Sequence, residues 1–562
     1  MTIELSEPTT RQLFERSLSL FSQRDALSFV GESPMTYHTL GMEVITLCQQ
    51  LLNMGIHPGD RVAILGSNSP NWVIAYFSVT IINAVAVPIL PGFPEGDVHH
   101  ILRESECKAI FVSEKYHTMI EDAPLPHLKN TISLDELTLS QQKSKSLGKK
   151  VKSMLNKSRK GRLSLEGLPK PAAKDLAVII YTSGTTGFSK GVILTHQNII
   201  SNVINGVEKF PIVKGDKFLS ILPLSHTFEA TGGMLCPLSV GASIVYMDGL
   251  PTPQKLLNAM QTSHPTAVLT VPLVVDKIYR RRILPKIQKN PVTGALYKIP
   301  VTRKILHKAA GRKLIQTLGG QLRFFMFGGA ALNEDVEIFL RDASISYSTG
   351  YGMTETSPIL TINPFGRVKM GSCGQAIPNV DIRIDNPDPE TGVGEIVVRG
   401  PNIMQGYYNN PEATQSIFTK DSWLKTGDLG FLDNEGYLYI NGRSKNVIVG
   451  PSGENIYPEI IEQLFLKSPV IQEIVVYQEN NQLVAKVYLE KDYMESTYHF
   501  NSMTESEMQN KKLEILEMIR REYNDRLPVF SRISTLIEYP EPFEKTPTNK
   551  VKRYLYIPEI RK

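Results

Sequence analysis

Tyr181-Thr182-Ser183-Gly184-Thr185-Thr186-Gly187-Phe188-Ser189-Lys190-Gly191 follows an apolar run, Leu176 to Ile180, whose composition predicts a buried strand. Glycines at 184, 187 and 191 let the backbone turn its N–H groups toward a ligand, with no Cβ in the way. Successive N–H groups in such a turn make a concavity for anions. The hydroxyls of Thr182, Ser183, Thr185 and Thr186 add donors, and Lys190 adds a point charge suited to phosphate. A bare Gly/Ser/Thr surface loop would not also carry a leading strand and a lysine, so the phosphate reading is preferred. The spacing G-x-x-x-x-G-K-[ST] is absent, which excludes the Walker loop.

Around this stretch lie 562 residues, more than one ordinary core holds, so at least two domains are expected. With 41% hydrophobic and 21% charged residues the composition is that of a globular protein with ample material for a core. A net charge of +5 is too small over this length to imply nucleic acid. Cys48, Cys107, Cys236 and Cys373 show no paired or metal-ligating spacing, which suits a reduced, cytoplasmic setting without a disulfide framework or a zinc site. The polar start, Met1 to Arg11, has no signal-peptide core. The most membrane-like run, Trp72 to Leu90, contains Ser78, Thr80, Asn83 and Pro88 and predicts a helix followed by a buried strand, not a span.

Residues 8–170 alternate strand and helix patterns. Arg61–Gly66, Ala84–Val87 and Lys108–Val112 read as short buried strands and Asp97–Glu104 as a helix, so a layered α/β domain with a largely parallel sheet is expected. A helix starts after Thr195, a suitable N-cap. The strand Phe218–Leu222 runs into Pro223-Leu224-Ser225-His226-Thr227-Phe228-Glu229, which puts His226 at a strand end, where α/β sheets hold ligands. Phe324–Phe327 is another strand, leading to Gly328-Gly329-Ala330. In Ser348-Thr349-Gly350-Tyr351-Gly352-Met353-Thr354-Glu355-Thr356, Tyr351 offers a ring face to a base and Glu355 suits Mg²⁺, which prefers carboxylate together with phosphate oxygens. Residues 394–449 are rich in strands and turns. There Asp428 can accept from ribose hydroxyls and Arg443 can donate to ribose or phosphate. Ile471–Tyr477 and Leu483–Leu489 predict paired strands and Leu513–Arg526 a helix of a small closing unit.

Two basic segments stand out. Residues 143–162 hold nine Lys/Arg and no acid, with Leu147, Val151, Met154 and Leu155 at helical spacing. They fit either an anionic membrane surface or a solvated linker. Residues 271–323, including Lys277, Arg280, Arg281, Arg282, Lys286, Lys289, Arg303, Lys304, Arg312 and Lys313, carry an interrupted apolar face. They fit either a solvated helical hairpin or attraction to a polyanion or membrane.

Taken in order, Tyr181–Gly191, Tyr351–Thr356, Trp423–Asp428, Gly442–Lys445 and Thr546–Lys550 resemble the motifs of the adenylate-forming superfamily of acyl-CoA synthetases, luciferases and adenylation domains. Asp421–Lys445 is similar to the fatty acyl-CoA synthetase signature, and Val271–Tyr279 and Gly453–Glu459 to its long-chain branch. The resemblance implies an α/β fold: a large N-terminal domain (1–445) of layered α/β subdomains plus a β-rich subdomain, and a small mobile α+β lid (446–562) hinged near Lys445. It implies ATP, Mg²⁺ and CoA, and two half-reactions that convert a long-chain fatty acid to acyl-adenylate and then to acyl-CoA. It also implies roles. Thr182, Ser183, Gly184, Thr185, Thr186, Gly187 and Lys190 would hold the β,γ-phosphates, and Thr182 and Glu355 the metal. Gly329, Ala330, Tyr351 and Gly352 would bracket adenine, Thr354 would contact the α-phosphate, and Asp428 and Arg443 the ribose. His226 would lie near the acyl carboxylate, and Lys550 would bridge carboxylate and α-phosphate. Ser189, Glu544 and Asn549 depart from the family's Pro, Pro and Gly, and Asn83 stands where Gly is common. A rival reading keeps the first half-reaction and delivers the acyl group to acyl carrier protein. Another, a non-catalytic acyl- or nucleotide-binding protein, needs neither Glu355 nor Lys550.

Overall fold

The computed structural model describes residues 3–121, 123–139, 164–182, 189–249, 252–450, 454–546 and 550–558. Strands that are apolar along their whole length form the centres of two sheets. Val85–Ile89, Ala109–Val112, Ala267–Thr270 and Phe324–Phe327 are buried at every position, as strands covered on both faces must be. In the first sheet Leu176–Thr182, Val85–Ile89, Arg61–Leu65, Ala109–Val112 and Asn130–Ser133 run parallel, and antiparallel strands close both edges. The second sheet has six parallel strands at its centre, from Asp25–Phe29 across to Tyr347–Gly352, again with antiparallel edges. The parallel α/β expectation therefore holds at both centres. Antiparallel pairing is confined to the margins.

Between the sheets lies the helix Pro70–Ile81, capped by Ser69 and buried at every position but Asn71. A helix that is apolar all round belongs in such a place. It continues into the strand Val85–Ile89, so the run from Trp72 to Leu90 is a core helix and a strand. No helix among the described residues is long and apolar enough to cross a membrane. At the turn between them Asn83 has φ 62°, a left-handed conformation that Asn tolerates and Gly adopts freely, which suits the glycine that the resemblance leads one to expect there. Its side chain also donates to Asp175 at 2.8 Å, a bond that glycine could not make.

A four-stranded antiparallel sheet, Asp381–Asp385, Gly394–Arg399, Leu424–Leu432 and Leu438–Arg443, follows the second large sheet. The chain ends in a smaller unit. There Ile471–Glu479 pairs antiparallel with Gln482–Leu489, which pairs parallel with Ile533–Glu538. The helices Pro458–Phe465 and Glu505–Asn524 belong to the same unit, whose core is built from residues between Ile456 and Leu536. The expected helix Leu513–Arg526 begins earlier, at Glu505, where Thr504 and Glu507 form a capping box. All four cysteines are free, and three of them are buried.

Candidate active site

Two antiparallel strands flank the phosphate stretch. Leu176–Thr182 and Lys190–Thr195 pair in a register that sets Thr182 opposite Lys190, so both residues stand where the strands meet that stretch. Residues 183–188, which include Ser183, Gly184, Thr185, Thr186 and Gly187, lie outside the described residues. The second strand is held on its far side by Gly406–Tyr407, and Thr195 caps the helix His196–Lys209 that follows. Lys190 Nζ lies 5.2 Å from the centroid of the Tyr407 ring, within reach of a cation–π contact.

Tyr407 in turn donates its hydroxyl to Glu355 Oε1 at 2.8 Å. Glu355 is buried on the short helical turn Thr354–Thr356, with Thr354 half-buried beside it. Two buried asparagines fix this turn. Asn202 donates to the Thr356 carbonyl and accepts from the Ile359 N–H, while Asn402 donates to the Thr356 and Ile359 carbonyls. The strand Tyr347–Gly352 returns so tightly onto Ile359–Ile362 that a Cβ at Gly352 would lie 1.7 Å from the Pro358 carbonyl oxygen. Glycine is obligatory there.

The expected ribose residues meet on another strand pair, Leu424–Leu432 with Leu438–Arg443 in the four-stranded sheet. Asp428 and Arg443 are cross-strand partners, with Arg443 Nε 2.9 Å from Asp428 Oδ1. The Tyr351 hydroxyl donates to Asp428 Oδ2 at 2.6 Å. Burial pushes the Asp428 carboxyl above its ordinary range, while Arg443 and Tyr351 hold it down. Gly329, at φ +81°, and Ala330 are exposed at the end of Phe324–Phe327. The neighbouring Gly328 leaves room for the Phe228 ring, which a Cβ would approach to 3.0 Å.

His226 follows the strand Lys217–Ser220, and its Nδ1 accepts from the Phe228 N–H at 3.2 Å. That bond leaves the proton on Nε2. Burial and then the nearby Lys550 lower its pKa to about 4, so the ring is neutral at physiological pH. A π-helical segment, Glu229–Leu235, begins three residues on. Within it Glu229 is wholly buried and accepts from Ser220 Oγ at 2.5 Å, with its second oxygen unpartnered among the described residues. Burial raises its pKa to about 8. Beneath lies a small apolar cavity of about 20 Å³ lined by Tyr76, Leu224, Thr227, Ala230, Thr231 and Leu235. It has room for about one water.

Lys550 comes from the C-terminal unit. The turn that carries it is closed by its own bonds: Thr546 N–H to the Lys550 carbonyl at 2.8 Å, and Lys550 N–H to Thr546 Oγ1 at 3.2 Å. Lys550 is exposed to solvent, yet neighbouring protein crowds its ammonium group. That crowding lowers its pKa, helped by Arg443 and opposed by Asp428 and Glu355. Lys550 thus lies within electrostatic reach of four expected site residues: His226, Glu355, Asp428 and Arg443. Earlier in the same segment the Glu544 N–H donates to the Tyr556 hydroxyl at 2.5 Å, a bond that the proline expected from the resemblance could not supply.

Residues 14–408 match the model of the AMP-binding enzyme family. The chain belongs to that family. Among its curated relatives are the peroxisomal long chain acyl-CoA synthetase 7 of Arabidopsis thaliana and long-chain-fatty-acid–CoA ligase 1 of Homo sapiens, each 30% identical. Those alignments cover 93% of this chain and 80% of the Arabidopsis protein, and 90% of this chain and 77% of the human one. A long-chain-fatty-acid–CoA ligase of Bacillus subtilis is 28% identical over 84% of this chain and 83% of its own. Among solved structures, the anthranilate CoA ligase AuaEII with anthranoyl-AMP superposes with a TM-score of 0.77 at 21% identity, covering 98% of this chain and 97% of its own. ATP-bound MatB of Rhodopseudomonas palustris gives 0.74 at 24%, covering 98% of both chains. These two establish the fold.

In this AMP-binding enzyme sequence reasoning passed over Tyr407, Asn202, Asn402 and Glu229. Glu229 closed the quoted stretch Pro223–Glu229 and was given no role there, although an acidic residue beside apolar ones was a usable signal. The other three act across 43 to 157 positions, and no local pattern marks them. The donor set fits Mg²⁺: one buried carboxylate, Glu355, and one hydroxyl residue at the end of the strand leading into the phosphate stretch, Thr182. Among the described residues no cluster of three or more His, Cys, Asp or Glu is present. Mg²⁺ is commonly held through one or two carboxylates together with substrate phosphates.

Proposed function

We propose that this enzyme activates a long-chain fatty acid with ATP and transfers it to CoA, giving acyl-CoA, AMP and pyrophosphate. The observation that carries the reading is the convergence of Lys550, from the C-terminal unit, with His226, Glu355, Asp428 and Arg443 of the rest of the chain. The relatives named as long-chain-fatty-acid–CoA ligases support the substrate class.

Thr182, Lys190 and residues 183–187 bind the β,γ-phosphates through backbone N–H groups, hydroxyls and one ammonium group. Tyr351, Gly352, Gly329 and Ala330 bracket adenine. Asp428, which already accepts from Tyr351 and Arg443, keeps further lone pairs for the ribose hydroxyls. Glu355 and Thr182 would hold Mg²⁺, which supplies neutralising charge to the triphosphate. In the first half-reaction a carboxylate oxygen of the acid attacks the α-phosphorus. An O–P bond forms, and the bond to pyrophosphate breaks. Thr354 contacts the α-phosphate, and Lys550 lies between the two anions as they approach. His226, neutral, keeps its Nε2 proton as a donor to the acyl oxygen without adding repulsion toward Lys550. In the second half-reaction the thiol of CoA loses its proton to solvent, the sulfur attacks the acyl carbon, the C–S bond forms, and AMP leaves. We place the boundary between the moving parts at Lys445, with 1–445 as the body and 446–562 as the lid.

The test is acid-dependent exchange of labelled pyrophosphate into ATP across a panel of acid lengths, then thioester formation with CoA and with acyl carrier protein offered separately. Exchange with long-chain acids and product on CoA is expected. Product on the carrier alone would replace the acceptor. Lys550→Ala should lower the exchange about 10²- to 10³-fold, the range for losing one charge-stabilising donor, while ATP binding measured by calorimetry persists. Undiminished exchange would reject the role given to Lys550.

A further inference from the structure

From Lys277 to Asn333 the chain has thirteen Lys/Arg and no Asp or Glu. The structure folds most of this run into a helical hairpin, Leu284–Gln288, Pro291–Tyr297 and Pro300–Thr317. The middle helix buries none of its residues. Val292, Leu296 and Ile299 follow at intervals of four and three, so they share one side of that helix and the turn after it. Val301 and Ile305, four apart, continue on the next helix. Val292 is 66% exposed, Val301 72% and Ile305 64%. The outward position is enforced from within. The Tyr297 hydroxyl meets the Tyr279 hydroxyl at 2.5 Å and His307 Nε2 at 3.1 Å, and His307 Nδ1 meets Asp342 at 2.9 Å. This relay anchors the inner side of both helices and leaves the aliphatic residues in water.

The cations divide in the same way. Arg280, Arg281 and Arg303 turn inward onto carboxylates: Arg280 to Asp276, Arg281 to Glu490 and Arg303 to Asp342. Lys286, Lys289, Lys298, Lys304 and Lys308 are exposed among the aliphatic residues, and none makes an ion pair among the described residues. Single apolar residues on a surface need no explanation, but five on adjoining turns ringed by unpaired lysines do.

We propose that this hairpin docks the enzyme on an anionic lipid bilayer, with the aliphatic side chains in the headgroup boundary and the lysines on lipid phosphates. Three observations select this partner. An acidic protein would match the lysines and leave the aliphatic residues in water. A second copy of this chain would cover the aliphatic residues and bring lysine against lysine. A bilayer answers both parts at once. The choice of lipid rests on the fatty-acid reading above, because a long-chain acid partitions into bilayers. The other basic segment, 143–162, lies outside the described residues and is left intact in the test.

The experiment measures co-sedimentation of the full chain with phosphatidylcholine vesicles, with and without phosphatidylglycerol. Binding is expected only with phosphatidylglycerol and should weaken as salt rises. Two variants follow, K289E/K298E/K304E and L296D/I305D, all at exposed positions. Each should lower vesicle binding by about tenfold or more, since one lysine near such a surface is worth about fivefold. Each should also slow thioester formation from acid preloaded in the vesicles, while leaving the rate with a soluble shorter acid as in the unmodified protein. Vesicle binding unchanged in both variants would overturn the proposal. So would no binding of the unmodified protein to phosphatidylglycerol, capture by acyl carrier protein in place of vesicles, or a dimer broken by L296D/I305D with no loss of lipid binding. Failure of the unmodified protein to form thioester from any acid counts against the catalytic reading and leaves the docking result standing.

Discussion

Glu355 is placed by side chains from three distant parts of the chain: Asn202, Asn402 and Tyr407. Tyr407 is the one that touches its carboxylate. Tyr407→Phe keeps the ring under Lys190 and removes only the hydroxyl, so folding should be unaffected. Pyrophosphate exchange should fall about 10- to 100-fold at limiting Mg²⁺, the usual cost of losing an outer-shell partner, and recover in part as Mg²⁺ is raised. An unchanged Mg²⁺ dependence would remove Tyr407 from the site. Glu229 makes a separate prediction, about stability. Its folded pKa of about 8 lies above its ordinary 4.5. The folded state therefore holds a proton that the unfolded state releases across that window. The stabilisation is complete below pH 4.5 and is lost as pH rises through about 8, with a slope of up to about 1.4 kcal/mol per pH unit. Denaturant unfolding at a series of pH values should show a shallower decline for Glu229→Gln than for the unmodified protein, and parallel profiles would refute the assignment. At this scale the sequence pointed to Asp428 by its chemistry in a turn and to Lys550 only through the resemblance to the family. It hid those whose partners arrive only when the chain has folded.

Elements were legible where one physical signal dominated. Phe324–Phe327 is a strand because four consecutive large apolar residues are buried on both faces, and Thr195 caps a helix because its side chain accepts from Asn198. The helix ending at Asn524 was placed too late, because its first two turns are polar and carry no apolar stripe. The capping box at Thr504 was the available signal. That a second strand, Lys190–Thr195, pairs back against the one leading into the phosphate stretch was not legible. That strand is fixed by pairing with Gly406–Tyr407, more than two hundred residues away. The turn that presents Glu355 yields a prediction of its own. Gly352→Ala forces a Cβ onto the Pro358 carbonyl and should cost about 3 kcal/mol or more in urea unfolding. Gly96, in the exposed helix Glu95–Glu104 with nothing within 4 Å of an added Cβ, is the control, where alanine should stabilise by about 0.5–1 kcal/mol. Equal effects at the two sites would contradict the backbone packing described.

For the whole molecule, the important contacts are those between the small C-terminal unit and the rest. Arg280 donates to the Lys467 carbonyl at 2.9 Å, Arg281 pairs with Glu490, and Lys467 pairs with Glu334 at 2.7 Å. All are polar and none is fully buried, as the lid movement proposed above would need. In this arrangement Lys550 lies within electrostatic reach of the other expected site residues, so under the proposed mechanism these contacts would favour adenylation. Arg281→Gln should slow pyrophosphate exchange by up to about fivefold, the upper worth of an exposed pair, and leave thioester formation from preformed acyl-adenylate unslowed. Equal slowing of both steps would show that the pair supports folding and not the balance between states. The relay through Tyr297 and His307 has a different consequence. It places the structural requirements of the helical hairpin on its inner side, so the outer positions are free of any duty to the fold. Descendants of this chain, or an engineer, can redecorate that outer side residue by residue and alter what the enzyme adheres to, with its architecture and chemistry untouched.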